Sequence, residues 1–285
     1  MRGQSPPAVG LVLPSMGAGA SPEAIEAALQ AARRAGWRGV WVPDHLVIDT
    51  AGAAQYGHVL DPIVTLAHVA ARDPTVRLGT SVLVVPMRNA VVLAKELATL
   101  DVLSEGRLSV GVGAGWSEGE FRNVGASDRF ARRGAYLAEA IRLWRHLWSG
   151  SQAPFEGEFH QLTDFVFAPL PPQRAALPIW VGGRSAHALR RAARLGDGYL
   201  ASQTSPEELA ERREVLERMA EAAGRQPPRI AARTVISPDE REAVRPAADR
   251  IRAFGEAGAK EVIVSFGTTD PEALGAAIDR LAAAL

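Results

Sequence analysis

The sequence predicts an α/β protein in which eight βα units close into a (β/α)8 TIM barrel. Apolar runs of strand length alternate with longer helical patterns along the 285-residue chain, as in βαβ units around a parallel sheet. Eight consecutive units favour a closed barrel over an open doubly wound sheet, which usually has fewer strands and a reversal of strand order. Because such barrels typically need ~250 residues, we expect residues 1–285 to form a single barrel domain.

The first half of the chain supplies four βα units. The opening helix is well marked, since Ser21 can cap its N-terminus, Pro22 occupies its first position and Gly36 follows its end. The predicted strand and helix pairs are Val9–Leu13 with Pro22–Ala35, Gly39–Val42 with Asp61–Ala71, Arg77–Val85 with Val91–Leu103, and Leu108–Val112 with Arg133–Trp148.

An irregular stretch at residues 150–177 interrupts the pattern after the fourth unit. Phe155–Leu162 and Asp164–Ala168 alternate like short strands, and the prolines from Pro169 to Pro172 then exclude regular structure. We interpret this stretch as an insertion within the barrel domain. The remaining predicted pairs are Ile179–Val181 with Ala186–Leu195, Gly198–Ala201 with Pro206–Ala223, Ile230–Ile236 with Glu240–Ala257, and Glu261–Phe266 with Pro271–Ala283.

The composition argues against several classes of protein. The chain has 32 basic and 32 acidic residues, so it lacks the uncompensated positive charge that nucleic-acid binding needs. It has no cysteine, which excludes a disulfide framework, a thiolate metal site and a thiol nucleophile. No segment resembles a signal peptide or approaches the ~20 apolar residues of a membrane span. We therefore expect a cytoplasmic protein that binds neither nucleic acid nor membranes.

Polar or glycine-rich residues follow four of the predicted strands. Active sites of such barrels lie at the C-terminal strand ends, so these exits are the candidate site. His45 is the best candidate for proton transfer, because imidazole titrates near neutral pH and this one lies beside Asp44. A structural histidine that binds a neighbouring loop is the alternative. The four exits are Pro43-Asp44-His45, Thr80-Ser81-Val82, Gly111-Val112-Gly113-Ala114-Gly115-Trp116 and Gly182-Gly183-Arg184-Ser185.

Two of the exits are rich in glycine. Gly182 and Gly183 end a strand directly before a helix, which suits phosphate binding by backbone N–H groups, with Arg184 adding a charge. A plain strand-to-helix turn is the alternative. The Gly111–Gly115 run lacks the later glycine and the acidic residue of a Rossmann unit, so we reject that interpretation. Its glycines either admit a flat ligand, with Trp116 as a wall, or pack at the barrel rim.

Other catalytic groups are missing from the strand ends. Leu13-Pro14-Ser15 and Ser265-Phe266-Gly267 offer no ligands for a catalytic metal. There is no serine elbow, and Lys95 and Lys260 lie in a helix and before a strand, away from Schiff-base positions. We therefore expect no metal site and infer that a cofactor supplies the chemistry.

Six motifs occur in order along the first two thirds of the chain. They are Trp41-Val42-Pro43-Asp44-His45, Leu78-Gly79-Thr80-Ser81-Val82-Leu83, Ala94-Lys95-Glu96-Leu97-Ala98-Thr99-Leu100-Asp101, Ser104-Glu105-Gly106-Arg107-Leu108, Gly111-Val112-Gly113-Ala114-Gly115-Trp116 and Trp180-Val181-Gly182-Gly183. Together they resemble the bacterial luciferase-like superfamily, specifically its coenzyme F420 (deazaflavin)-dependent oxidoreductases. The resemblance runs from about Val9 to Tyr199.

This resemblance implies a (β/α)8 barrel with an insertion after the fourth unit, a homodimer, and hydride transfer between the deazaflavin and a small organic substrate. It places a non-prolyl cis peptide at Ser81-Val82, in a bulge that backs the cofactor ring. It also implies site residues for each part of the cofactor. These are His45 and Asp44 beside the reactive edge, Ser81, Val82 and Leu83 behind the ring, Gly113, Ala114, Gly115 and Trp116 along the channel, and Gly182, Gly183 and Arg184 at the phosphate.

One departure from the family pattern concerns the substrate. Sugar-phosphate dehydrogenases of the family have a catalytic glutamate in the glycine-rich exit of the fourth strand. This chain has Ala114 there. The resemblance therefore argues against sugar-phosphate oxidation and leaves proton transfer to His45, Glu118 or water. Arg88 and Arg122 are candidates for binding an anionic substrate, or are ordinary surface arginines.

Two alternative functions stay open at this point. The same fold and phosphate site also serve reduced FMN with oxygen, which would make the protein a monooxygenase. A flavin-binding protein without turnover is the other alternative, and the Asp44-His45 pair argues against it.

Overall fold

The computed structural model describes residues 6–237 and 244–285, and the predicted closed barrel is confirmed within these ranges. All strand pairs of the barrel are parallel. The described strands are β1 (Ala8–Val12), β2 (Gly39–Val42), β3 (Arg77–Thr80), β4 (Leu83–Val84), β5 (Leu108–Gly113), β6 (Phe155–Glu156), β7 (Gln161–Leu162), β8 (Ile179–Gly182), β9 (Gly198–Ser202), β10 (Arg229–Val235) and β11 (Glu261–Ser265).

The ring contains eight positions, counted over the described residues, and β3 and β4 share the third of them. Its order is β1, β2, β3, β5, β8, β9, β10 and β11, and pairing of β1 with β11 closes it. The prediction of one continuous strand over Arg77–Val85 was wrong. The strand is divided at Ser81-Val82, where the peptide bond is cis, and a 3-10 turn begins at Val85.

The helices surround the barrel, and the first helix, α1 (Pro22–Arg34), packs against the last, α11 (Pro271–Ala284), where the ring closes. The predicted long helices agree with the structure to within two residues, but Glu240, the predicted start of one helix, lies outside the described residues. The short helices α2, α5 and α6 were not predicted. The described helices are α1 (Pro22–Arg34), α2 (Ala53–Tyr56), α3 (Pro62–Arg72), α4 (Ala90–Leu103), α5 (Glu118–Asn123), α6 (Ser127–Phe130), α7 (Arg133–Trp148), α8 (Ala186–Leu195), α9 (Pro206–Glu221), α10 (Val244–Glu256) and α11 (Pro271–Ala284).

Two apolar layers hold these elements together. The larger layer lies between strands and helices and contains Trp144 and Trp148, both fully buried on α7. A smaller cluster fills the barrel interior, where Trp41 and Trp180 meet edge to face with ring centroids 6.2 Å apart. Burial on both faces explains why the strands read as apolar runs without alternation.

The stretch at residues 150–177 lies between α7 and β8. Its first predicted strand contains the antiparallel pair of β6 and β7, whose connection is held by Glu139 of α7 through three backbone N–H groups. The predicted strand Asp164–Ala168 was wrong. Its alternation reflects Phe165 and Phe167, which pack onto the main core without a strand partner. That the stretch is an insertion stays a prediction.

Within the described ranges, no helix combines the length and apolar character needed to cross a membrane.

Candidate active site

The cis peptide expected at Ser81-Val82 is present and forms a bulge at the barrel mouth. Val82 is half-buried and packs onto the interior cluster, whereas Leu83 is fully buried in the layer between strands and helices. Only the backbone of Leu83 can therefore face a ligand. Ser81 is buried, and its Oγ has no hydrogen-bond partner in the part of the chain that the structure describes.

Glycines on both sides keep the surface around Val82 low. A Cβ at Gly113, at the end of β5, would lie 2.6 Å from Val82 Cγ2, and one at Gly182, at the end of β8, would lie 3.0 Å from Cγ1. Neither position accepts a side chain without moving the valine, because such distances are shorter than ordinary carbon contacts. The bulge and its glycine neighbours thus form an apolar surface against which a flat ring fits.

The chain continues from Gly113, at the end of β5, into α5. Ala114 is half-buried, and Gly115 has φ +81°, a left-handed conformation that favours glycine. Trp116 is exposed, and its ring lies 5.7 Å from that of Tyr56 and 6.1 Å from that of His45. The predicted wall residue therefore stands at the mouth as part of an aromatic cluster.

The side chain of His45 is hydrogen-bonded to a glutamate that the sequence analysis did not identify. Its Nδ1 lies 3.0 Å from Glu120 Oε2, and the backbone N–H of Leu46 donates to Glu120 Oε1 at 2.6 Å. Ser117 caps α5 and accepts the N–H of Glu120, which turns this side chain inward, whereas Glu118 is exposed. With Nδ1 facing the carboxylate, the Nε2 atom of His45 is left for a ligand.

The carboxylate of Asp44 is fully used in contacts within the protein and has a structural role. Its side chain is fully buried, accepts the backbone N–H of Val84 at 2.8 Å and forms an ion pair with Arg88 Nη2 at 2.7 Å. Arg88 also lies 3.2 Å from Asp61. Burial acts to lower the pKa of Arg88, but the two carboxylates outweigh it and raise that pKa. Asp44 therefore fixes the loop that carries His45, and the charge of Arg88 is already neutralised. Arg122, the other arginine considered for an anionic substrate, is exposed on α5.

The exit of β8, which contains Gly182-Gly183-Arg184-Ser185, leads into α8. Gly182 is buried, Gly183 is exposed with φ +121°, and Ser185 caps the helix by accepting the N–H of Ala188 at 3.2 Å. Arg184 is exposed. Arg191, in the second turn of α8, was not identified from the sequence, and burial lowers the pKa of its guanidinium. A side chain at Gly134 would meet Arg191 Nη2, so the guanidinium lies against the first turn of α7.

A second missed cation lies on the floor of the mouth. Arg233 of β10 donates from Nη1 to the carbonyl oxygen of Ser81 at 2.9 Å. Desolvation lowers the pKa of its guanidinium, and the nearby Tyr56 acts in the opposite direction. Over residues 6–237 and 244–285, no group of three or more His, Cys, Asp or Glu is arranged to hold a metal ion.

The sequence matches the model of the luciferase-like monooxygenase family over residues 9–283. The chain is 34% identical over 295 residues to an uncharacterised protein of Mycobacterium tuberculosis, covering 97% of this chain and 98% of the relative. It is 37% identical over 179 residues to the F420-dependent glucose-6-phosphate dehydrogenase of Kineococcus radiotolerans, covering 59% of this chain. The chain spans about half the length of that dehydrogenase, 49%.

Solved structures share the fold over the full length. An F420-dependent secondary alcohol dehydrogenase in complex with an F420-acetone adduct gives a TM-score of 0.81 at 20% identity, covering 99% of this chain and 98% of that one. The oxygenating constituent of 3,6-diketocamphane monooxygenase from Pseudomonas putida, in complex with FMN, gives 0.79 at 16% identity, covering 98% and 97%. The chain belongs to the luciferase-like monooxygenase family, as its motifs predicted. It is an oxidoreductase of that family.

Proposed function

We propose that the protein binds coenzyme F420 at the barrel mouth and transfers a hydride between the deazaflavin and a small organic substrate. The observation that carries this proposal is the His45–Glu120 pair, because it gives the barrel mouth a proton carrier held by a carboxylate, at the same end of the barrel as the apolar surface of Val82. When bound, the deazaflavin supplies the hydride chemistry.

The residues present fit such a cofactor at both ends. The apolar surface of Val82 between Gly113 and Gly182 suits a ring, since bulkier residues at either glycine would close it. The exposed Gly183 and the capped N-terminus of α8 offer backbone N–H groups for a phosphate, with Arg184 as the adjacent cation and Arg191 in the second turn of the same helix. Leu83 would support the ring through its backbone alone.

His45 moves the proton through Nε2 in this proposal. Glu120 holds the imidazole by Nδ1 and is itself held by the N–H of Leu46, so the ring has one orientation. Nε2 donates a proton to the substrate oxygen during reduction and accepts one during oxidation. Asp44 acts as a positioning residue, since its carboxylate is occupied by Val84 and Arg88.

Ala114 supports a substrate other than a sugar phosphate. A methyl group cannot transfer a proton, and the glutamate that enters the site, Glu120, is bound to His45. The relatives named F420-dependent glucose-6-phosphate dehydrogenase thus support the cofactor more than the substrate. The description of the family as luciferase-like monooxygenases supports FMN with oxygen as a second candidate.

A fluorescence titration of the purified protein with F420 and, separately, with FMN tests the proposal. We expect tight binding of F420 and weak binding of FMN, followed by turnover in a screen of alcohols and carbonyl compounds. His45→Gln and Glu120→Gln are expected to bind F420 like the wild type and to lose about 10²-fold or more in turnover, the usual contribution of general acid–base catalysis. His68→Gln, at an exposed position of α3, is the matched control and should retain activity.

The outcomes separate the candidates. Tight FMN binding with oxygen consumption would favour the monooxygenase, and F420 binding without turnover on any substrate would favour a binding protein. A His45→Gln variant with unchanged turnover would remove His45 from the mechanism. A protein that binds neither cofactor would contradict the proposal as a whole.

A further inference from the structure

Arg233 points into the barrel interior near its mouth. On β10, Ala231 belongs to the interior cluster, and residues two apart in a strand share a face. Arg233 is two residues closer to the C-terminal end of the strand and is in register with Ile263, also of that cluster. Its side chain therefore lies on the layer that closes the barrel below the mouth.

The guanidinium crosses the barrel to reach the cis-peptide bulge. Nη1 donates to the carbonyl oxygen of Ser81 at 2.9 Å, although β3 and β10 lie on opposite sides of the ring. A guanidinium has five N–H donors in a planar fork. This hydrogen bond uses one of them and holds the guanidinium at the Ser81-Val82 peptide, beside the surface where the proposed function puts the cofactor ring.

Arg233 has no carboxylate partner among the described residues. The hydrogen bond that these residues give it runs from Nη1 to the carbonyl oxygen of Ser81. This is unlike Arg88, which has two carboxylates in the same mouth. A guanidinium stays charged in proteins, and Arg233 is half-buried, so its charge has lost part of its water without gaining a carboxylate. An anion from outside the chain would complete this site.

Ser81 gives a second, independent indication. Its Oγ is buried and unpartnered in the described part of the chain, in the residue whose carbonyl Arg233 holds. Buried hydroxyl groups are normally hydrogen-bonded, so an unmet one needs an explanation. Because Arg233 binds the carbonyl oxygen of the same residue, a ligand on the arginine fork would lie next to Ser81.

We propose that Arg233, beside Ser81, binds two adjacent in-plane acceptor atoms that share a negative charge. A guanidinium fork matches such a pair with two parallel hydrogen bonds. Two sources fit this chemistry: a carboxylate on the substrate, and the N–C=O edge of the pyrimidine ring of the reduced cofactor. The inference deepens the proposed function and rests on it for the identity of the site, but the anion can be tested without the cofactor.

The test uses Arg233→Met, which removes the charge, and Arg233→Lys, which keeps it without the fork. Arg229→Met is the matched control: the same strand carries it, exposed at the opposite barrel end, over the Trp180 ring. Dissociation constants are measured for oxidised and reduced F420 under anaerobic conditions, and for acetate, benzoate and oxalate on cofactor-free protein. Circular dichroism and thermal unfolding establish that each variant is folded.

We expect Arg233→Met to weaken the binding of at least one class of anion about tenfold or more, the effect of losing a charge-assisted hydrogen bond. Arg233→Lys should fall between Arg233→Met and the wild type, and Arg229→Met should match the wild type. A changed ratio of reduced to oxidised F420 affinity identifies the cofactor as the source. Weakened carboxylate binding with an unchanged ratio identifies the substrate.

The proposal is overturned if Arg233→Met binds every probe within twofold of the wild type, or if the wild type binds none of them. If Arg233→Met does not fold, Arg233→Lys decides by the same criteria. A wild-type protein that binds carboxylates and no cofactor contradicts the proposed function alone. In that case, loss of carboxylate binding in the variants still supports the assignment of Arg233.

Discussion

Replacing Asp44 by asparagine tests whether this residue belongs to the scaffold of the site. Its carboxylate is fully buried and accepts from Val84 N at 2.8 Å and from Arg88 Nη2 and Nε at 2.7 and 3.4 Å. An asparagine at this position would keep the shape of the side chain but not its charge, so that the largely buried Arg88 would lose its main partner. Asp44→Asn is therefore expected to destabilise the protein.

The expected cost is about 3 kcal/mol in the free energy of unfolding. Removing one member of a buried ion pair costs roughly 3–5 kcal/mol, because the other charge stays buried without compensation. Asp61 still lies 3.2 Å from Arg88 and offsets part of that cost, which puts the estimate at the lower end of the range. The backbone N–H of Val84 keeps an acceptor in the asparagine side chain.

Urea unfolding, followed by circular dichroism and tryptophan fluorescence, measures this change. Coincident curves from the two probes establish the two-state transition that the free energy requires. Asp279→Asn is the matched control, since Asp279 pairs with Arg34 at 3.1 Å where both side chains are half-exposed, and such pairs contribute about 0–1 kcal/mol.

A double-mutant cycle with Arg88→Met isolates the pair itself. The Asp44→Asn/Arg88→Met variant should be more stable than the sum of the single effects predicts, because it leaves no buried charge unpaired. If Asp44→Asn costs less than about 1 kcal/mol, or if the two changes simply add, Asp44 does not have the scaffold role assigned to it.

Two further predictions concern the bulge and the barrel exterior. Gly113→Ala should weaken F420 binding about tenfold, because its Cβ would lie 2.6 Å from Val82 Cγ2 and push the bulge out of position. Gly113→Ala/Val82→Ala should restore the affinity in the same fluorescence titration. If the affinity is not restored, the steric explanation is wrong. Burial acts to raise the pKa of Asp73, but hydrogen bonds from Arg33 and Thr75 outweigh it and lower that pKa. The stability that Asp73 contributes is therefore fully present above its unfolded pKa. It is lost as the pH falls through the lower folded pKa. Asp73→Asn should thus cost about 2 kcal/mol at pH 7 and progressively less below about pH 4, measured by urea unfolding across pH; a difference from the wild type that does not change with pH would exclude this cause.

The barrel could be predicted from the sequence because each of its elements leaves a local signal. Ser21 and Pro22 at the start of α1, and Gly36 after its end, mark one helix in three residues. The strands are buried on both faces and so appear as apolar runs. Local signals fail where the structure depends on distant contacts, as at Asp164–Ala168, where Phe165 contacts His146 of α7 and Phe167 contacts Lys95 of α4.

The partner of His45 shows why half of the candidate site was predictable and half was not. A polar residue at a strand exit is visible in the sequence, but its partner lies 75 positions away on a helix of one and a half turns. Glu118 and Glu120 are two residues apart and therefore about 200° apart around that helix, so that one faces solvent and the other His45. The signal that was available is Ser117 three residues before Glu120, the spacing of a helix cap, which sets the helical phase.

The arginines show the same dependence on contacts that the sequence does not contain. Arg88 looked like an anion-binding residue, yet Asp44 and Asp61 already neutralise it. Arg233 was visible as the one charge inside the predicted strand Ile230–Ile236, but a strand buried on both faces does not reveal which side chains enter the barrel. What makes an arginine available to a ligand is the lack of a carboxylate within reach, and only the closed ring, which puts Arg233 opposite Ser81, settles that question for the residues described.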